Sequence, residues 1–158
     1  NSPKLSELLD IYSKGKNKPF IALNIKSDGL QSDLKIALDK YKVNNYFVFD
    51  SSVPDSINFI KSGMKTFTRQ SEYENPPAFY ELAEGVWLDE FYSSWIDEET
   101  LNFHYNNGKK ICIVSPELHG RDMKIGWQNY KKTIFKNPKI NISLCTDYPL
   151  EARKYFGL

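Results

Sequence analysis

Short apolar runs alternate with amphipathic stretches along the whole chain, and no other feature restricts its fold as much. Runs at 20–25, 46–49, 66–69, 86–88, 111–114 and 142–145 have the length of strands and are bounded by polar turn residues. Each is followed by a stretch with helical spacing: 30–41, 54–62, 78–83, 97–105, 124–135 and 150–156. A further helix is predicted ahead of them over 3–12, where Leu5, Leu8, Leu9 and Tyr12 recur at helical spacing. Pro54 sits early in its helix, where a missing N–H costs little. Six strand–helix units in series argue a parallel sheet with helical crossovers, an α/β fold. At 158 residues the chain is read as one domain, 1–158.

The same rhythm places the polar residues. Asn24, Lys26 and Asp28 follow the first run, and Asp50 the second. Arg69, Glu72 and Glu74 follow the third, Asp89 and Glu90 the fourth, Glu117 and His119 the fifth, and Asp147 the last. Any one of them can be a turn or cap residue. All six strand ends carrying them is the pattern of a barrel whose site is built at the carboxyl ends of its strands. No glycine-rich phosphate fingerprint occurs, which argues against a nucleotide-binding open sheet.

Composition narrows the partners. A net charge of +1 leaves no basic footprint for nucleic acid or an acidic membrane. No apolar run approaches the roughly 20 residues that span a bilayer, and no signal peptide opens the chain, so a cytoplasmic location is expected. Cys112 and Cys145 each lie in an apolar run and are read as small buried hydrophobes.

Side chains alternate along a strand, so Asn24 and Lys26 share a face, as do Trp87 and Asp89; Glu117 and His119 share one where extension persists past Pro116. Arg69 offers a planar fork to phosphate or carboxylate, with an internal ion pair to Glu72, Glu74 or Asp89 as the other reading. Glu117 with His119 is the candidate acid/base couple, His being easily tuned near neutral pH; a structural His after a strand is the alternative. Trp87 beside Asp89 can hold a sugar or glycerol moiety, or pack under a helix. His104, at the end of a predicted helix, is read as a surface residue. Asp147 is expected near the strand ends and as the cap of the last helix.

Five strings, LNIKSDGL (23–30), TFTRQSEYE (66–74), GVWLDEF (85–91), CIVSPELHG (112–120) and LCTDYPLEA (144–152), resemble in this order the glycerophosphodiester phosphodiesterase-like branch of the phospholipase-C-type barrels. Within that branch they are most similar to bacterial members associated with surface-polysaccharide clusters. The resemblance covers nearly the whole chain. It implies a (β/α)8 TIM barrel in which residues 20–26 form the third strand, so that the chain supplies the last six βα units, a partial barrel. The family's His-Arg opening motif, an acidic pair and a second His belong to units upstream of Asn1.

The resemblance also implies an activity: phosphoric diester hydrolysis on a small glycerophosphodiester-like or phosphosugar substrate, with two His residues as acid and base. A divalent cation, Mg or Ca, is implied at the mouth. Lys26 matches the lysine that meets a phosphate oxygen. Asn24 stands where the family's strand-three metal ligand is Glu; its amide oxygen binds a hard cation without contributing charge. Arg69, Trp87 and Asp89 join Lys26 as expected substrate-binding residues, and Glu117 and His119 are the expected catalytic ones.

A rival reading is a non-catalytic barrel remnant that binds a phosphorylated sugar or a partner protein, favoured by Asn24 in place of the acid. Six units leave an open sheet edge, for which a homodimer is the expected cover. Another barrel chemistry, an isomerase or aldolase using Lys26 with Asp50 or Asp89, ranks last.

Overall fold

The computed structural model describes residues 3–157. The chain divides into two compact units, Asn1–Phe67 and Thr68–Leu158.

In the first unit α1 (Leu5–Lys14), β1 (Ile21–Asn24), α2 (Gln31–Lys40), β2 (Tyr46–Phe49) and α3 (Val53–Lys61) follow in order. β1 and β2 pair in parallel, Ile21 opposite Tyr46 and Asn24 opposite Phe49. Alternation assigns the faces. Ile21, Leu23, Tyr46 and Val48 pack with Leu9 and Tyr12 of α1, Leu34 and Leu38 of α2, and Phe59 of α3. Side chains fix where helices begin: Glu7 accepts from the Lys4 N–H at 3.2 Å, and Ser52 Oγ accepts from the Asp55 N–H at 3.4 Å. On the other face Phe47 stacks on Phe67, ring centres 3.9 Å apart.

The second unit holds β3 (Phe67–Ser71), which starts at the boundary, then β4 (Gly85–Asp89), α4 (Glu98–Asn106), β5 (Lys110–Val114), α5 (Met123–Lys136), β6 (Ile142–Cys145) and α6 (Pro149–Phe156). The strand order is β3-β4-β5-β6. β4–β5 and β5–β6 are parallel, with Trp87 opposite Cys112 and Cys112 opposite Ser143. Val86, Leu88, Ile111 and Ile113 pack with Leu101 of α4, Trp127 and Tyr130 of α5, and Ala152 of α6. Trp87, Asp89, Cys112 and Cys145 therefore project from the opposite face. Trp87 is buried on that face.

The parallel α/β class stands, as a two-stranded and a four-stranded sheet among the described residues. Three local expectations are corrected. The stretch 78–83 forms only a 3₁₀ turn, Tyr80–Leu82, entered through Phe79 at φ 43°. The stretch after Pro116 is not extended: Pro116–His119 is a 3₁₀ turn closed by Gly120 at φ 69°, because proline starts such a turn readily and glycine accepts the left-handed exit. His104 is not on the surface; it is 1% exposed. Its Nδ1 faces the Tyr80 hydroxyl at 3.0 Å and its Nε2 the Gln70 Oε1 at 2.8 Å. Gln70 Oε1 can only accept, so Nε2 carries the proton and Nδ1 accepts from Tyr80. Burial, with some help from Lys109, pushes the His104 pKa down to about 4.

Cys112 is buried and Cys145 half-buried, both as free thiols, and burial raises the pKa of each. No helix among the described residues is long and apolar enough to cross a membrane.

Candidate functional site

Each unit gathers polar side chains at the carboxyl ends of its strands. In the first unit a cleft of about 360 Å³ opens beyond β1 and β2, lined by Lys26, Asp28, Asp50, Ser51 and Ser52 among others. Lys26 forms an ion pair with Asp50, and its side chain is 71% exposed. Asp50 sits at φ 65°, a left-handed conformation that Asp tolerates better than most residues. Ser52 Oγ donates to Asp28 at 3.0 Å. Asn24, at the end of β1, is exposed.

In the second unit the strand ends are tightly clasped. Glu90, fully buried, follows β4 and accepts from the Ile96 N–H at 2.9 Å and the Tyr130 hydroxyl at 2.7 Å. Arg121 lies 3.6 Å from the same carboxylate and donates to the Glu90 carbonyl and to Ser94 Oγ, both at 2.8 Å. These bonds tie the loop after β4 to α5 and to the turn after β5. Glu117 makes a second clasp. It accepts from Ser115 Oγ, Thr146 Oγ1 and the Asp147 N–H, and Ser115 Oγ in turn accepts from Trp127 Nε1 at 2.7 Å. The Thr146-Asp147 pair thus serves Glu117, binding the end of β6 to the end of β5. Asp147 does not cap α6, whose N-cap is Tyr148 without a side-chain bond.

Gly126 sets the position of the 3₁₀ turn between these clasps. A Cβ there would lie 2.3 Å from Pro116 Cγ, so only glycine lets α5 run this close beneath Pro116–His119.

His119 stands above this support. Its Nε2 meets Asp89 Oδ1 at 2.5 Å, with the His119 side chain 21% and the Asp89 side chain 8% exposed. The Phe91 ring lies against the imidazole, centres 4.6 Å apart. Arg69 lies against the same ring, its Cζ 5.9 Å from the Phe91 centre. Arg69 is held by Glu74 through both Nε and Nη2. An acidic residue that only accepts fixes the imidazole tautomer: in the neutral ring Nε2–H donates to Asp89 and the Nδ1 lone pair is left as the proton acceptor. The couple expected between Glu117 and His119 is not formed, because the 3₁₀ turn rotates the two side chains apart; the partner of His119 is Asp89.

Glu72 secures the rim. Its carboxylate accepts from the N–H groups of Phe91, Tyr92 and Ser93 and from Ser93 Oγ, at 3.0 to 3.1 Å. Burial pushes the Glu72 pKa up, but the backbone donors of Ser93, Tyr92 and Phe91 outweigh it and hold it at about 2.

Of the expected site residues, the second unit brings Asp89, His119 and Arg69 around Phe91, sets Trp87 on the Asp89 strand face, and turns Glu117 to support. Lys26 and Asn24 belong to the first unit's strand ends. Phe91 was missing from the expected set, though its signal was present: DEFY (89–92) places two aromatics directly after an acidic strand end, where loops are usually polar.

Compared with family models, curated proteins and solved structures, the chain matches none. For a divalent cation, the donors present are a poor fit. Asn24 offers one neutral oxygen, and no group of three or more His, Cys, Asp or Glu side chains comes together among the described residues to hold a metal.

Proposed function

We propose that the chain is part of a phosphodiester hydrolase, with its strand–helix units belonging to a (β/α)8 barrel of the phosphodiesterase type. The observation that carries this is the His119–Asp89 pair at neighbouring strand ends, flanked by Arg69 across the Phe91 ring. Asp89 fixes the orientation and tautomer of the imidazole, the arrangement a general acid/base requires. His119 exchanges a proton at Nδ1. Arg69, oriented by Glu74, faces the phosphoryl oxygens as charge develops on them. In-line displacement puts the attacking and leaving oxygens on opposite sides of phosphorus, and His119 serves one of them.

The test is hydrolysis of bis(4-nitrophenyl) phosphate and glycerophosphodiesters by the natural protein that contains this chain and by its His119→Asn variant. The expected result is turnover that falls about a hundredfold or more in the variant. Turnover equal in both proteins, or none in either, contradicts the proposal. Binding of a phosphorylated sugar without turnover would favour the non-catalytic reading.

A further inference from the structure

Beside His119 and Arg69 the loops after β3 and β4 present aromatic rings outward. Tyr73 is 73% and Tyr92 61% exposed, large fractions for residues so costly to leave in water. Neither loop is slack. Residues 71–74 form a tight turn in which the Ser71 and Glu74 backbones bond to each other, at 3.4 and 3.2 Å, and the Tyr73 N–H donates to Ser71 Oγ at 3.2 Å. The Tyr92 backbone is one of the three gripped by Glu72. The rings touch in sequence: Phe91 to Tyr73 at 5.6 Å and Tyr73 to Tyr92 at 5.7 Å, the latter pair at 77°. Exposed aromatics are therefore held in fixed positions, beginning one ring away from the acid/base pair.

We propose that Tyr73 and Tyr92 form a stacking corner for the saccharide ring of a glycosyl phosphodiester whose phosphate sits at His119 and Arg69. This rests on the phosphodiester reading of that site and names its substrate class. Two features select a sugar. Two rings near a right angle make a concave corner, which fits the C–H face and edge of a chair-shaped pyranose; a flat nucleobase uses only one such ring. The two phenol hydroxyls hydrogen-bond each other, which leaves one proton to donate to, and lone pairs to accept from, sugar hydroxyls.

The test is calorimetric binding of three probes, glucose 1-(methyl phosphate), dimethyl phosphate and adenosine 5′-(methyl phosphate), to the chain and to variants. The expected result is that the glucose diester binds about tenfold tighter than dimethyl phosphate, an advantage abolished by Tyr73→Ala with Tyr92→Ala and largely kept by the paired Tyr→Phe changes. Both tyrosines are exposed, so these variants should keep the parent's unfolding midpoint. Equal binding of the two small diesters, unchanged by the alanine pair but weakened by Arg69→Ala, overturns the stacking corner and leaves the phosphodiester site standing. Preference for the adenosine diester overturns the sugar assignment. No binding of any diester overturns both the corner and the reading beneath it.

Discussion

The strand ends of the first unit and those of the second are written in the same sequence style, an apolar run breaking into acids, hydroxyls and a cation, yet they become different kinds of place. Beyond β1 and β2 the polar groups are open: Lys26 is mostly in water and its partner Asp50 lines a cleft. Beyond β4 and β5, Asp89, Glu90 and Glu117 each have a task. Glu90 binds a loop, Glu117 binds two strand ends, and Asp89 holds His119. Depth makes the difference. A group excluded from water must find partners, and an unpartnered one costs several kcal/mol. An exposed pair costs and contributes little. Rigid positioning of a titratable side chain, which acid/base chemistry needs, is therefore available in the second unit.

The sharpest way to break this contrast is at Glu90. Glu90→Ala leaves the Tyr130 hydroxyl, the Ile96 N–H and the Arg121 charge without their acceptor, and should cost about 4 kcal/mol in denaturant unfolding. A cost below about 1 kcal/mol would mean the clasp is ornamental. His104 tests depth by pH. Its unfolded pKa is the ordinary 6.5 and its folded value about 4, so the unfolded state takes up the extra proton between them. Its contribution is complete above pH 6.5, fades as the pH falls, and is gone below about 4, a change on the order of 3 kcal/mol. Unfolding free energy followed over that range should slope in the parent and lose that part of the slope in His104→Gln.

Gly126→Ala should push the Pro116–His119 turn away from α5, costing about 2 kcal/mol and lowering turnover with it. A stable, fully active variant would show that the turn adjusts freely. In the first unit, Lys26→Met should shift stability by less than about 0.5 kcal/mol, because its ion pair with Asp50 is exposed. A larger loss would place that cleft in the same class as the clasped one.

The strand–helix rhythm was legible because it rests on local periodicity, and β2 and β6 fall where the apolar runs predict them. That polar residues collect at strand ends was legible for the same reason. What each of them touches was not. Pro116 followed by ELHG reads equally as an extended strand exit or a tight turn, and only the packing of Gly126 under Pro116 decides it. That choice moved the partner of His119 from Glu117, two residues away, to Asp89, thirty residues away. His104 reads as a helix-end polar residue because its partners, Gln70 in β3 and Tyr80 in the 3₁₀ turn, are distant in the chain. Pairings between separate strand ends leave no local trace in sequence.

The central claim is that His119 and Asp89 form a working pair and not another clasp like Glu90. It is tested most directly by measuring diester hydrolysis and unfolding free energy on the same samples of the parent, Asp89→Asn and His119→Asn proteins. The account predicts hydrolysis in the parent that falls about a hundredfold in His119→Asn and at least tenfold in Asp89→Asn, with stability within about 1 kcal/mol of the parent. Stability falling as far as in Glu90→Ala, with hydrolysis unchanged or absent throughout, would make the pair a structural clasp and contradict the account.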